Sequence, residues 1–100
     1  VACVIKFKDE DEVIRMANDS EYGLSAAVYS RDSARAWNVA QRLHTGICHI
    51  NGPTVHDEAQ MPFGGCKASG YGRFGGRAGI AEFTELRWIT IQTQPRELPF

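Results

Sequence analysis

Between positions 62 and 76 the chain reads Pro-Phe-Gly-Gly-Cys-Lys-Ala-Ser-Gly-Tyr-Gly-Arg-Phe-Gly-Gly, and these fifteen positions hold six of its ten glycines. Glycine has no Cβ and enters the left-handed region freely, so a run this dense either turns sharply or admits another group close to its backbone. Neither a helix interior nor a strand interior needs that freedom. With Phe63 and Arg73 among the glycines, the segment reads as a loop shaped around something.

The rest of the chain must supply the scaffold for that loop, and its size limits what it can be. A chain of 100 residues is one domain at most, burying only about 65% of its unfolded surface. The formal charge is −1, from 11 basic and 12 acidic residues spread along the sequence. Such a balance gives no field that would steer a polyanion or an anionic membrane, which argues against nucleic acid as a partner. No apolar run approaches the roughly 20 residues that a membrane span requires, and the opening residues lack the layout of a signal peptide. The chain reads as cytoplasmic. Cys3, Cys48 and Cys66 are odd in number and widely spaced, so free thiols are expected rather than a disulfide framework or a C-x-x-C pair. The opening lies directly in an apolar run without an initiator Met, which points to a piece of something longer.

Residues 1–7 are apolar and β-branched without alternation, the pattern of a strand covered on both faces. Asp9 and Asp11 offer N-caps ahead of Val13, Ile14 and Ala17, so a short helix is expected up to positions 18–20. Tyr22-Gly23 turns the chain into a second strand over 24–29, and Ser30 offers a cap for a second helix. Ala34, Trp37, Ala40 and Leu43 recur at helical spacing, predicting that helix over about 31–44, closed by Gly46. Residues 47–50 form a third strand. The expected order is β-α-β-α-β, part of a parallel, doubly wound α/β domain, in which ligands lie beyond the carboxyl ends of the strands. The polar stretch from Asn51 and the glycine loop leave the third strand at that edge. A short helix is expected over 76–83, and residues 86–93 alternate as a strand. No return strand comes after this last one, so it is expected to reach a partner elsewhere.

Ala17-Asn18-Asp19, Tyr22-Gly23-Leu24-Ser25-Ala26, Gly46 before Asn51, Pro62-Phe63-Gly64-Gly65, Lys67, Ser69-Gly70, Gly72-Arg73, Gly76, Gly79 and Phe83-Thr84-Glu85 stand in one order over nearly the whole chain. This ordered set closely resembles the carboxyl-terminal part of the aldehyde dehydrogenase superfamily. Residues 51–57 and 72–93 are most similar to the vanillin, salicylaldehyde and benzaldehyde dehydrogenases within it. The resemblance implies an enzyme in which a cysteine thiolate attacks the aldehyde, hydride passes to NAD or NADP, and glutamate-activated water hydrolyses the thioester. It also implies that the nucleophile and the cofactor site lie outside these residues, because nothing around Cys3, Cys48 or Cys66 matches the family's nucleophile motif. A 100-residue chain alone is then expected to be inactive.

By the same resemblance, Phe63 lines the aldehyde pocket and the loop before it, with His56 and Asp57, shapes substrate preference. The family match makes residues 1–84 the end of a catalytic domain and residues 85–100 an oligomerisation strand and tail, joining copies of the chain through 85–93. Gly64, Gly65, Gly70, Gly72 and Arg73 are read as loop-structural, Arg73 ordering the glycines by hydrogen bonds to carbonyls.

Several features have plainer or rival readings. Residues 70–75 satisfy G-x-G-x-x-G by letter, but no strand precedes them and no acidic residue stands at the expected distance, which favours a hinge over a phosphate cradle. Cys48 is expected as a small core residue, and Cys66 as a more exposed thiol beside Lys67. His44, His49 and His56 with Asp57 are read as scattered structural residues that do not converge on a metal. Trp37 and Trp88 are read as packing residues. The functional rival is a non-catalytic truncated subunit or interaction module that binds a larger dehydrogenase.

Overall fold

Aspartates near turns decide where the first two helices begin. In the computed structural model, which describes residues 1–97 and 99, helix α1 spans Glu10–Asn18 and Asp9 is its N-cap, its carboxylate accepting from Glu12 N at 2.8 Å. Glu10, Asp11 and Glu12 fill the first turn and Arg15 the last, the charge order that complements the helix dipole. Helix α2 spans Ser33–Arg42, and its N-cap is Asp32, which accepts from Arg35 N at 3.0 Å. Ser30 is therefore not the cap; its hydroxyl accepts from Asp32 N and shapes the turn before it.

Between and after the helices run four short strands: β1 (Tyr22–Gly23), β2 (Ser25–Val28), β3 (Ile47–Ile50) and β4 (Cys66–Lys67). β2 and β3 are parallel, with Ser25 opposite Ile47 and Val28 opposite Ile50, and α2 is the crossover between them. β1 and β4 pair antiparallel, Tyr22 with Lys67 and Gly23 with Cys66. Helix α3 (Gly76–Glu82) is the last element in chain order.

The core lies where α1 and α2 meet the β2–β3 pair. Ile14 and Ala36 are its buried apolar side chains. An open hollow of about 430 Å³ lies over it, with Val13, Ala26, Val28, Val39 and Leu43 along its wall. Across the helices Arg35 meets Glu10 at 2.9 Å, and Arg42 reaches both Glu10 and Asp11. These pairs are largely solvent-exposed and set geometry more than stability.

The structure corrects the sequence reading in several places. Residues 1–7 form no strand and are exposed, since a strand requires a ladder neighbour and none of the described strands runs beside them. The expected β-α-β-α-β series thus reduces to one parallel β-α-β unit behind a helix. The apolar stripe of α2 keeps Ala40 and Leu43, both half-buried, but takes in Ala36 and excludes Trp37: Ala36 is 1% exposed while Trp37 is 62% exposed. Neighbouring helical residues point about 100° apart, so burying Ala36 with Val39 and Leu43 turns Trp37 outward. Gly46 does not close α2, which ends at Arg42 with Leu43 as its C-cap. A Cβ at Gly46 would collide with the carbonyl of Gly64, so glycine is required there by the close approach of the glycine loop. Residues 86–93, expected as a strand, have no ladder partner among the described residues, and Trp88 is 91% exposed instead of packed.

Candidate functional site

β3 carries Ile47, Cys48 and His49 along one wall of a cleft, and the loop after it folds back to form the other wall. Phe63 anchors the return. Its N–H donates to Phe74 O at 2.8 Å and its carbonyl accepts from Phe74 N at 2.7 Å. Met61 N donates to Glu58 O and Gly76 N to Ala59 O, which bend the chain ahead of Phe63. The result is a cleft of about 390 Å³ in which His56, Asp57 and Phe63 stand together with His49. That volume falls within the roughly 300–1,000 Å³ of small-molecule sites. The cleft runs alongside β3 from Gly46 rather than only beyond its carboxyl end, because the loop doubles back along the strand.

His49 and His56 meet ring to ring, centroids 5.3 Å apart at 75°. This corrects the reading of scattered histidines. An exposed His44 stays apart, and the described residues contain no cluster of three metal-ligating side chains. His56 Nε2 lies 3.3 Å from Glu58 Oε1, and Gln60 Nε2 donates to the other carboxylate oxygen at 2.6 Å. The Nε2 of His49 is buried with no hydrogen-bond partner among the described residues. With Ile47 and Cys48, His49 is a cleft residue that sequence reasoning missed as a site member. Its only signal was its place on the strand that the polar loop leaves.

The cysteines divide by surroundings. Cys48 lines the cleft, and burial pushes its thiol pKa up, so it is a thiol and not a thiolate near neutral pH. Cys66, expected as the exposed thiol, is half-buried, with its S–H placed to donate to the carbonyls of Gly23 at 3.4 Å and His44 at 3.3 Å. Pairing of β4 with β1 brings it inward.

Beside the cleft, Arg73 Nη1 donates to Gly65 O at 2.8 Å and to Gly72 O at 2.7 Å. Gly64 and Gly65 are buried beneath this bridge, and Gly70 marks the outer turn. Gly72 has φ 70°, and a Cβ there would stand 2.8 Å from the Glu82 carboxylate. That carboxylate accepts from Arg73 N at 3.1 Å, while Phe74 N and Gly76 N are bound to carbonyls. N–H groups already engaged, with an acidic side chain among them, do not suit a dinucleotide pyrophosphate. The glycine loop therefore does not fit the pyrophosphate of a dinucleotide.

The model of the aldehyde dehydrogenase family matches residues 1–89. The chain belongs to this family. Among curated aldehyde dehydrogenases, it is 65% identical over 99 residues to a vanillin dehydrogenase of Pseudomonas sp. (strain HR199 / DSM 7063), covering 99% of this chain and 21% of that protein. It also superimposes on the crystal structure of a salicylaldehyde dehydrogenase from Pseudomonas putida G7 complexed with salicylaldehyde. There the TM-score is 0.88 at 55% identity, over 96% of this chain and 20% of that one. A Mycobacterium tuberculosis aldehyde dehydrogenase complexed with NAD+ matches at TM-score 0.74 and 37% identity, over 79% of this chain and 16% of that one. The chain thus spans about a fifth of the length of the curated aldehyde dehydrogenases it matches. Its structural neighbours give the fold class as α/β. No helix among the described residues is long and apolar enough to cross a membrane.

Proposed function

We propose that this chain belongs to an NAD- or NADP-dependent aldehyde dehydrogenase that oxidises an aromatic aldehyde to its carboxylic acid through a cysteine thioester. The chain contributes one wall of the aldehyde pocket. The observation that carries the reading is the convergence of His56, Asp57 and Phe63 on one cleft beside β3. An aromatic ring can lie against Phe63, and the polar groups of the opposite loop select substituents on it. Likeness to vanillin and salicylaldehyde dehydrogenases over almost the whole chain supports the aromatic class. The nucleophile and the nicotinamide lie on other segments of the complete enzyme. Within this chain, residues 1–84 serve the catalytic domain and residues 85–93 join copies of the enzyme by strand addition, leaving Leu86, Ile89 and Ile91 exposed until they are paired.

Phe63→Ala in the complete enzyme tests the pocket. The expected result is a fall of about tenfold or more in kcat/KM for benzaldehyde relative to propanal, because a buried ring contact is lost only by the aromatic substrate. An unchanged ratio removes Phe63 from the pocket.

A further inference from the structure

Asn51, the first residue after β3, has φ 57°, in the left-handed region that only glycine enters without strain and that asparagine tolerates better than most. Its side chain accounts for the conformation. Oδ1 accepts from Ser30 N at 2.9 Å and Nδ2 donates to Ser30 O at 3.0 Å. Its own N–H donates to Val28 O at 2.8 Å, finishing the parallel ladder. The amide thus acts as one extra rung, binding both backbone groups of Ser30 just past the end of β2, while the main chain at 51 turns out of the sheet. Three residues on, Thr54 O accepts from Ser25 Oγ at 3.0 Å, which holds the loop again over β2. The far end is fixed by Phe63 and Phe74 and by Gly76 N on Ala59 O.

We propose that Asn51 is a positioning residue: its two-point clamp on Ser30 sets the direction in which residues 52–61 leave β3, and so the place of His56 and Asp57 opposite Phe63. The proposal rests on the pocket reading above, and its test separates the two.

Asn51→Gly and Asn51→Ala are compared in the complete dehydrogenase. Glycine accepts φ 57° and removes only the clamp, whereas alanine also adds backbone strain. Amide hydrogen exchange over 52–61 is read beside KM and kcat for benzaldehyde and propanal. With Asn51→Gly, exchange over 52–61 quickens about tenfold while Ile47, whose N–H donates to Leu24 O at 3.0 Å, keeps its protection. KM for benzaldehyde rises about fivefold with kcat within about twofold, and propanal is little affected. Unchanged exchange with unchanged KM overturns the proposal, as does a change seen with alanine but not with glycine. Faster exchange with every KM unchanged upholds the clamp and sinks the assignment of His56 and Asp57 to the pocket.

Discussion

Arg73 shows how one side chain keeps a glycine loop in a single shape. Glycines lose more backbone entropy on ordering than other residues, and Arg73 offsets this by bridging the Gly65 and Gly72 carbonyls from one nitrogen. Arg73→Met in the complete protein should destabilise it by about 1.5–3 kcal/mol, because two part-buried carbonyls lose a charged donor. The shift of the urea midpoint measures it. Arg73→Lys should recover part of the loss, since an ammonium keeps the charge and can also donate to two carbonyls from one nitrogen. Cys48 carries a pH prediction. Burial raises its folded pKa above the unfolded value, so its contribution to stability is complete below the unfolded thiol pKa and is lost as pH rises through the folded one. Labelling by iodoacetamide at about pH 8 should leave Cys48 behind the exposed Cys3, the gap closing as pH rises. Of the cleft residues, Phe63 stood out by its place in the glycine run, whereas His56 and Asp57 were singled out through the resemblance to the aldehyde dehydrogenase family. His49 did not stand out, because a histidine within a four-residue strand looks like any other half-buried residue until the loop folds onto it.

Among the elements, the Asp9 cap was legible from local chemistry while the cap of α2 proved to be Asp32 and not Ser30, and the caps make a direct test. Asp32→Ala removes the acceptor for Arg35 N and should cost about 1 kcal/mol, whereas Glu10→Gln, which weakens the exposed pairs to Arg35 and Arg42, should cost about half that or less. Thermal or urea unfolding of the complete protein distinguishes them. Both helices and the strands β2 and β3 come from caps, turn residues and periodicity, all carried by residues close together along the chain. The two-residue strands β1 and β4 were not legible, since their pairing joins Tyr22 to Lys67 and Gly23 to Cys66, far apart in sequence. The phase of α2 was illegible for a related reason: Ala34, Trp37, Ala40 and Leu43 make an acceptable stripe on paper, but the face turned toward the core centres on Ala36 and leaves Trp37 outside.

At the scale of the molecule, the radius of gyration is 21.0 Å and the extents are 70 × 32 × 27 Å, against about 13 Å expected for a compact chain of this length. Valines, isoleucines and aromatic residues near both ends are exposed, and the buried apolar core is Ile14 and Ala36. A chain with so small a core is expected to bind hydrophobic dyes and to melt without a sharp transition when isolated. With NAD and benzaldehyde it should give no reduced-cofactor absorbance; sustained turnover by the isolated chain would overturn the view that the chemistry lies on other segments. By itself the sequence determined the presence of the helices, the β-α-β unit, the glycine loop and, through motifs in a fixed order, the family resemblance, because these depend on neighbours along the chain. Only the tertiary structure decided that Gly46 lies against Gly64, that His49 meets His56, and that Asn51 grips Ser30. Each joins residues brought together by the return of the chain across its sheet, and no local preference encodes where that return will pass.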